Sequence, residues 1–354
     1  MSPLKPAVVA CLGLALAACG GSSPSGIAKP RGARTAAATT TAAATTTAAA
    51  TTTAAATTTA AATTTAPAAT APAPTTRPPR LIAILPAAHR QGLFDWVPAA
   101  LIRGQPAIWI SRVSAYGEPG FTITLLRFDQ QLLTLHLHAG GQEPGGSGWR
   151  FGDAIGTSEL HSVVAGFNSA FRESYGAGGF EAYGRVGWPL KRGKASVVIY
   201  RDGTADIGRW ELGVPAPGRP VAAVRQNLGL LINQSRVPPS VDTCIKICWG
   251  DPLHEQPIVA RSGLGITAEG QLVWAAGHNL SVRALAEALL AKGAVRAMEL
   301  DINPAWVAGY LYAHPRHAST VTPIALVPGQ TGIAGRFLQP YFRDFFTVVA
   351  NPRP

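Results

Sequence analysis

The chain has 354 residues, 47% of them hydrophobic and only 14% charged, with 38 Gly, 29 Pro and a formal net charge of +11. That balance excludes a coiled coil and a wholly disordered chain, which need more charge or fewer apolar residues, and it leaves room for one large domain or two small ones. The charge raises a polyanion as partner, but it is unevenly spread. Residues 1–80 carry Lys5, Lys29, Arg31, Arg34, Arg77 and Arg80 without one acid, which leaves 24 basic against 19 acidic residues from Leu81 on. A domain that mildly basic gives no support to nucleic acid as a partner.

The N-terminus reads as an address. Lys5 precedes an apolar run from Ala7 to Ala18, ending Leu16-Ala17-Ala18-Cys19-Gly20. A charged start, a short apolar segment and small residues before the cut make a secretory signal, while a membrane-spanning helix needs about 20 apolar residues. Leu-Ala-Ala-Cys resembles the bacterial lipobox, which implies cleavage after residue 18 and a lipid on Cys19, holding the chain on the outer face of the cell membrane. The alternative is a plain signal peptide with an incidental Cys. From Ala36 to Thr65 the sequence repeats Ala-Ala-Ala-Thr-Thr-Thr, and Pro67, Pro72, Pro74, Pro78 and Pro79 follow. Ala and Thr offer too little area to offset chain entropy, and Thr triplets oppose helix, so residues 19–80 are expected to be a disordered spacer. The domain then spans 81–354.

Alternation dominates from Ile82 to Trp274. Three hairpins are predicted: Phe121–Arg127 with Leu132–His138 about Asp129-Gln130, Ala195–Arg201 with Thr204–Trp210 about Asp202-Gly203, and Gly263–Thr267 with Gln271–Ala275 about Glu269-Gly270. A weak helix is expected over Ser158–Ala165. A clear one follows Ser281 as N-cap, with a stripe of Val282, Leu285, Ala286, Leu289 and Leu290 and a stop at Gly293. The fold class is therefore α+β, with mixed or antiparallel β-sheets and a few packed helices.

Cys244 and Cys248 are the two cysteines of the domain. In an exported chain such a pair reads as a disulfide; half of a zinc site needs two further ligands, and His254 is the one candidate nearby. His136 with His138, and His314 with His317, are each half a metal site or satisfied core histidines. No metal or cofactor is expected. Gly176, Gly178 and Gly179 read as a mobile loop, lacking the strand-then-helix setting of a nucleotide fingerprint.

Three polar clusters interrupt apolar segments: Asn168-Ser169-Ala170-Phe171; Arg225-Gln226-Asn227 with Arg261-Ser262; and Glu299-Leu300-Asp301-Ile302-Asn303 after the clear helix. On spacing alone, Asp301 either points into a cleft or caps a turn, and the arginines either bind a ligand or pair with surface acids. At these residues the chain resembles the phosphodiester glycosidase family. Asn168–Phe171 is similar to its Asn-Gly-Gly-Phe-Phe element, Val224–Leu231 to Arg-Gln-Asn-Leu-x-Leu-Leu, Arg261–Gly270 to Arg-Thr-Ala-Ile-Gly, and the helix with Leu300-Asp301 to its Leu-Asp-Gly-Gly-Gly-Ser block. The resemblance covers about Gly104 to Leu311. It departs where Asp301-Ile302-Asn303-Pro304 replaces Asp-Gly-Gly-Gly, where Ser169-Ala170 replaces Gly-Gly and where Ser262 replaces Thr.

The resemblance implies hydrolysis of a sugar-1-phosphate diester in an envelope glycan. Asp301, Asn168 and Arg261 would be catalytic; Arg225, Asn227, Asn303 and Ser262 would bind substrate. Guanidinium suits the phosphate and a carboxylate suits the anomeric carbon. Glu299 is the nearest further carboxylate. The rival expectation is a non-catalytic envelope lipoprotein that binds glycan or phosphate polymer.

Overall fold

Strands buried on both faces, such as Val163–Asn168, Ala195–Tyr200 and Phe345–Ala350, set the architecture. A computed structural model describes residues 81–244, 246–251, 256–316 and 319–351. The signal, Cys19 and the spacer lie outside the described residues, as do His254 and His317. An eight-stranded sheet holds β1 (Ile82–Ile84), β2 (Phe94–Ile102), β3 (Gln105–Ala115), β4 (Glu118–Phe128), β12 (Leu230–Ile232), β13 (Val259–Thr267), β14 (Leu272–Leu280) and β15 (Ala294–Glu299). Its order is β1-β2-β3-β4-β14-β13-β15-β12. A second sheet, ordered β10-β9-β11-β7-β8, is made of β7 (Phe180–Ala182), β8 (Arg185–Trp188), β9 (Ala195–Tyr200), β10 (Ala205–Arg209) and β11 (Val221–Asn227). The third, ordered β17-β16-β6-β18-β5, is made of β5 (Leu133–His138), β6 (Val163–Asn168), β16 (Gly309–Ala313), β17 (Thr322–Ala325) and β18 (Phe345–Ala350). Every pairing between these strands is antiparallel.

Both faces of the large sheet are covered. The short helices α1 (Ser240–Thr243) and α2 (Lys246–Trp249) precede the longer α3 (Val282–Ala291). In β14, Leu272, Trp274 and Ala276 face the main core while Val273 and Ala275 face α3. Gly263 and Gly265 of β13 clear space on the helix side, where a Cβ at Gly263 would stand 3.1 Å from Leu289 and one at Gly265 2.8 Å from Ala294. Ser281 caps α3 through its hydroxyl, which accepts from the Ala284 amide, and Gly293 takes φ +92° just past its end. The large sheet meets the third sheet through aromatic rings: Phe167 packs against Phe128, Trp274 and Phe346 at centroid distances of 5.6–6.0 Å.

The hairpins about Asp202-Gly203 and Glu269-Gly270 form as expected, and so does α3. Two expectations fail. The first is the hairpin about Asp129-Gln130: β4 pairs with β3 and β14, and β5 pairs with β18. Asp129-Gln130 carries the chain from one sheet to another, and the Gln130 amide donates to Ala205 O and Gly270 O and accepts from Ala205 N, so it ties the corner to two other turns. The second is the helix over Ser158–Ala165. Val163 opens the wholly buried strand β6, whose β-branched start suits a sheet, and only turns precede it. The glycine loop is packed: a Cβ at Gly179 would come 2.6 Å from Leu190 backbone, and the Gly179 amide donates to the Gln226 side chain. Cys244, just past the end of α1, and Cys248, within α2, form a disulfide.

Candidate active site

The three sheets converge where β15 ends. Beyond Glu299 the ladder to β13 continues for two residues, with Leu300 N donating to Ser262 O at 2.8 Å and Ser262 N to Asp301 O at 3.2 Å. The chain then leaves the large sheet, and Asp301 N donates to Ser169 O at the end of β6. Each neighbouring sheet lends a side chain to this exit. From β6, the Asn168 amide donates to the Ser262 hydroxyl, which donates in turn to Asp301 O, while the Asn168 carbonyl accepts from Ala308 N. From β11, the Asn227 amide donates to Glu299 O and Leu300 O. Asn168, Ser262, Asn227 and Asp301 are all buried. Their mesh satisfies backbone groups that would otherwise be orphaned in the core, and it fixes the height at which Asp301 emerges.

Asp301 lines a cleft with Phe171, Arg172, Tyr175, Asn303 and Trp306. One carboxylate oxygen accepts from Asn303 N at 2.9 Å; the other lies 3.2 Å from the Arg343 guanidinium. Burial pushes the Asp301 carboxyl up to about 6, against the pull of Arg343 and of the Asn303 and Ile302 amides. Asn303 Oδ1 accepts from Ala305 N and closes the turn that presents Trp306. Two guanidinium groups stack on the Trp306 ring, Arg343 at 4.3 Å and Arg172 at 5.0 Å from its centroid. Glu143 bridges the same two arginines, at 3.0 Å from Arg343 and 3.3 Å from Arg172. The cleft holds about 80 Å³, room for roughly half a dozen waters.

Arg225 and Arg261 do not line this cleft. Arg225 is fully buried and pairs with the equally buried Asp344 at 2.6 Å, and it donates also to Gln226 O and Phe171 O. Arg261 pairs with Glu299 at 2.6 Å and donates to Leu280 O and Pro257 O. Burial raises the Glu299 carboxyl to about 7 although Arg261 opposes this. Both guanidinium groups are thus consumed inside the protein. The residues that sequence reasoning missed are Arg172, Arg343 and Glu143. Arg172 directly follows Phe171. Arg343-Asp344 interrupts the aromatic run Tyr341-Phe342 … Phe345-Phe346, and two charges inside such a run signal buried, paired groups.

His136 and His138 turn to Glu159, at 2.8 and 3.2 Å, and His314 bonds Val163 O. Among the described residues no group of three or more His, Cys, Asp or Glu is arranged to hold a metal.

Neither a family model nor a curated protein sequence matches the chain. Solved structures are alike in outline only. The zebrafish N-acetylglucosamine-1-phosphodiester alpha-N-acetylglucosaminidase catalytic domain, auto-inhibited by its pro-peptide, is similar at 13% identity and TM-score 0.44, over 69% of this chain and 82% of that one. A hypothetical protein from Synechocystis is similar at 11% identity and TM-score 0.40, over 70% of this chain and 63% of that one. A putative exported protein of Burkholderia pseudomallei gives 10% and 0.39, over 68% and 76%. Likeness at this level carries no argument about chemistry.

Proposed function

We propose that the chain is an exported hydrolase of the phosphodiester glycosidase kind, lipid-anchored through Cys19, that cleaves a sugar-1-phosphate diester in an envelope glycan. The observation that carries the proposal is Asp301: a buried carboxyl opening on a cleft, held between an arginine and two amides. The ordered motifs around Asn168, Arg225, Arg261 and Asp301 support the same chemistry. In the reaction a water oxygen bonds to the anomeric carbon and the bond from that carbon to the phosphate oxygen breaks, its electron pair leaving with the phosphate. The ionised Asp301 takes the water's proton. Arg172, the guanidinium at the cleft, faces the leaving phosphate, while Asn168, Ser262 and Asn227 set the position of Asp301. The test is sugar release from a panel of sugar-1-phosphate diesters. Release by wild type and its loss in Asp301→Asn is expected; no release from any diester by wild type overturns the proposal.

One observation favours the rival, a glycan- or phosphate-polymer-binding lipoprotein without catalysis. Arg225 and Arg261 are spent on internal carboxylates, which leaves the cleft one arginine among its lining residues. Tight binding of a diester without turnover would select it.

A further inference from the structure

A second groove, of about 450 Å³, opens where the edge strand β5 lies against β9 and β11, and it shares no lining residue with the Asp301 cleft. That volume falls in the usual range for small-ligand sites. Its polar lining is cationic and phenolic: His136, Arg150, Tyr183, Tyr200 and Arg201, beside Phe151. Arg150 and Arg201 are exposed and, among the described residues, pair with no carboxylate; Arg150 rests over the rings of Phe151 and Tyr183, at 5.6 and 5.2 Å.

His136 is built in. Its ring stacks on Phe151 at 4.1 Å, and its Nδ1 meets Glu159 Oε1 at 2.8 Å. Glu159 is buried and is held further by His138 and Thr347. Burial works against the Glu159 charge, but hydrogen bonds from His136 and His138 hold its carboxyl down at about 2, so it is ionised and fixes His136 from behind. Nε2 is then the ring nitrogen left to the groove. The nearby acids are engaged elsewhere: Asp202 with Arg219 and Thr204, Asp206 with Arg296.

Two unpaired guanidinium groups and a buttressed imidazole in one groove are an arrangement for an anion. We propose that this groove is a second binding site, taking the oxyanion of a small ligand, a phosphate or a carboxylate, with Arg150 and Arg201 facing its charge and His136 donating to it from Nε2 when the ring carries both protons.

The test is calorimetric titration of the full chain with inorganic phosphate and, separately, with galacturonate, alongside the imidazole NMR signals. Saturable binding of at least one anion is expected, with the His136 resonance shifting. Arg150→Gln and Arg201→Gln, both at exposed positions, should each weaken it roughly tenfold, the effect of one charge-assisted contact. Arg172→Gln, in the other cleft, should leave it unchanged. Phosphate alone binding assigns a phosphate ligand, galacturonate alone a carboxylate. Binding of neither anion overturns the proposal, and so does binding abolished by Arg172→Gln but retained by both groove variants.

Discussion

Removing Asp344 tests whether Arg225 belongs to the fold or to the substrate. Both groups of the pair are fully buried and 2.6 Å apart, so Asp344→Ala leaves a guanidinium charge in the core with two carbonyl partners, Gln226 O and Phe171 O. Stranding a buried charge in this way costs about 3–5 kcal/mol. For a domain of this size each kcal/mol lowers the melting temperature by roughly 2–4 °C, so a fall of about 6–20 °C is expected. Arg225→Met together with Asp344→Leu removes both charges and should recover part of the loss. It should fall short of full recovery because those two carbonyls lose their donor, at about 1 kcal/mol for each, the low end of the cost of a buried unsatisfied group. Urea unfolding of the three proteins gives the numbers. A loss below about 1 kcal/mol in Asp344→Ala, or a double variant no more stable than the single one, refutes the structural account of Arg225.

Asp301, raised by burial to about 6 from its ordinary 3.8, keeps in the folded state a proton that the unfolded chain has lost. Stability should therefore fall as pH rises between those values, and Asp301→Asn should flatten that slope in urea titrations at pH 4 and pH 7. If the ionised form drives hydrolysis, kcat/KM should rise with pH about a midpoint near 6; a flat profile there refutes the assigned role. In Gly309→Ala the new Cβ would lie 2.3 Å from the buried Trp274 ring, so a destabilisation of about 1–3 kcal/mol should appear in thermal unfolding. Cys244→Ser with Cys248→Ser opens a very short loop, and a loss of no more than about 2 kcal/mol is expected by the same measurement.

Local chemistry was legible in the sequence where it decides local structure. Asp202-Gly203 and Glu269-Gly270 announce hairpins, and the Ser281 cap, apolar stripe and Gly293 announce α3. Asp129-Gln130 misled because alternation on both sides of a turn does not say which sheet each strand joins; that is settled by Gln130 reaching residues far along the chain. In the site, the polar clusters of the sequence contain Asp301, Asn168 and Ser262, and the structure brings these three together. The resemblance casts Arg225 and Arg261 in substrate-facing roles, but residue type shows charge and not its partner, and Asp344 and Glu299 lie 119 and 38 residues away. Arg343 escaped notice for the same reason, since its tie to Asp301 exists only once β18 has docked beside β6.

The meeting of three sheets at the end of β15 has a consequence for the order of folding. Asn168, Asn227 and Ser262 come from β6, β11 and β13, and the arginine that holds Asp301 comes from just before the last strand of the domain. This cleft cannot assemble until almost all of the domain is free to fold, and no subset of its sheets can hold it. Amide exchange at Leu300 and Asp301 should then proceed only through global unfolding, which makes those two amides internal reporters of whether a molecule has finished folding.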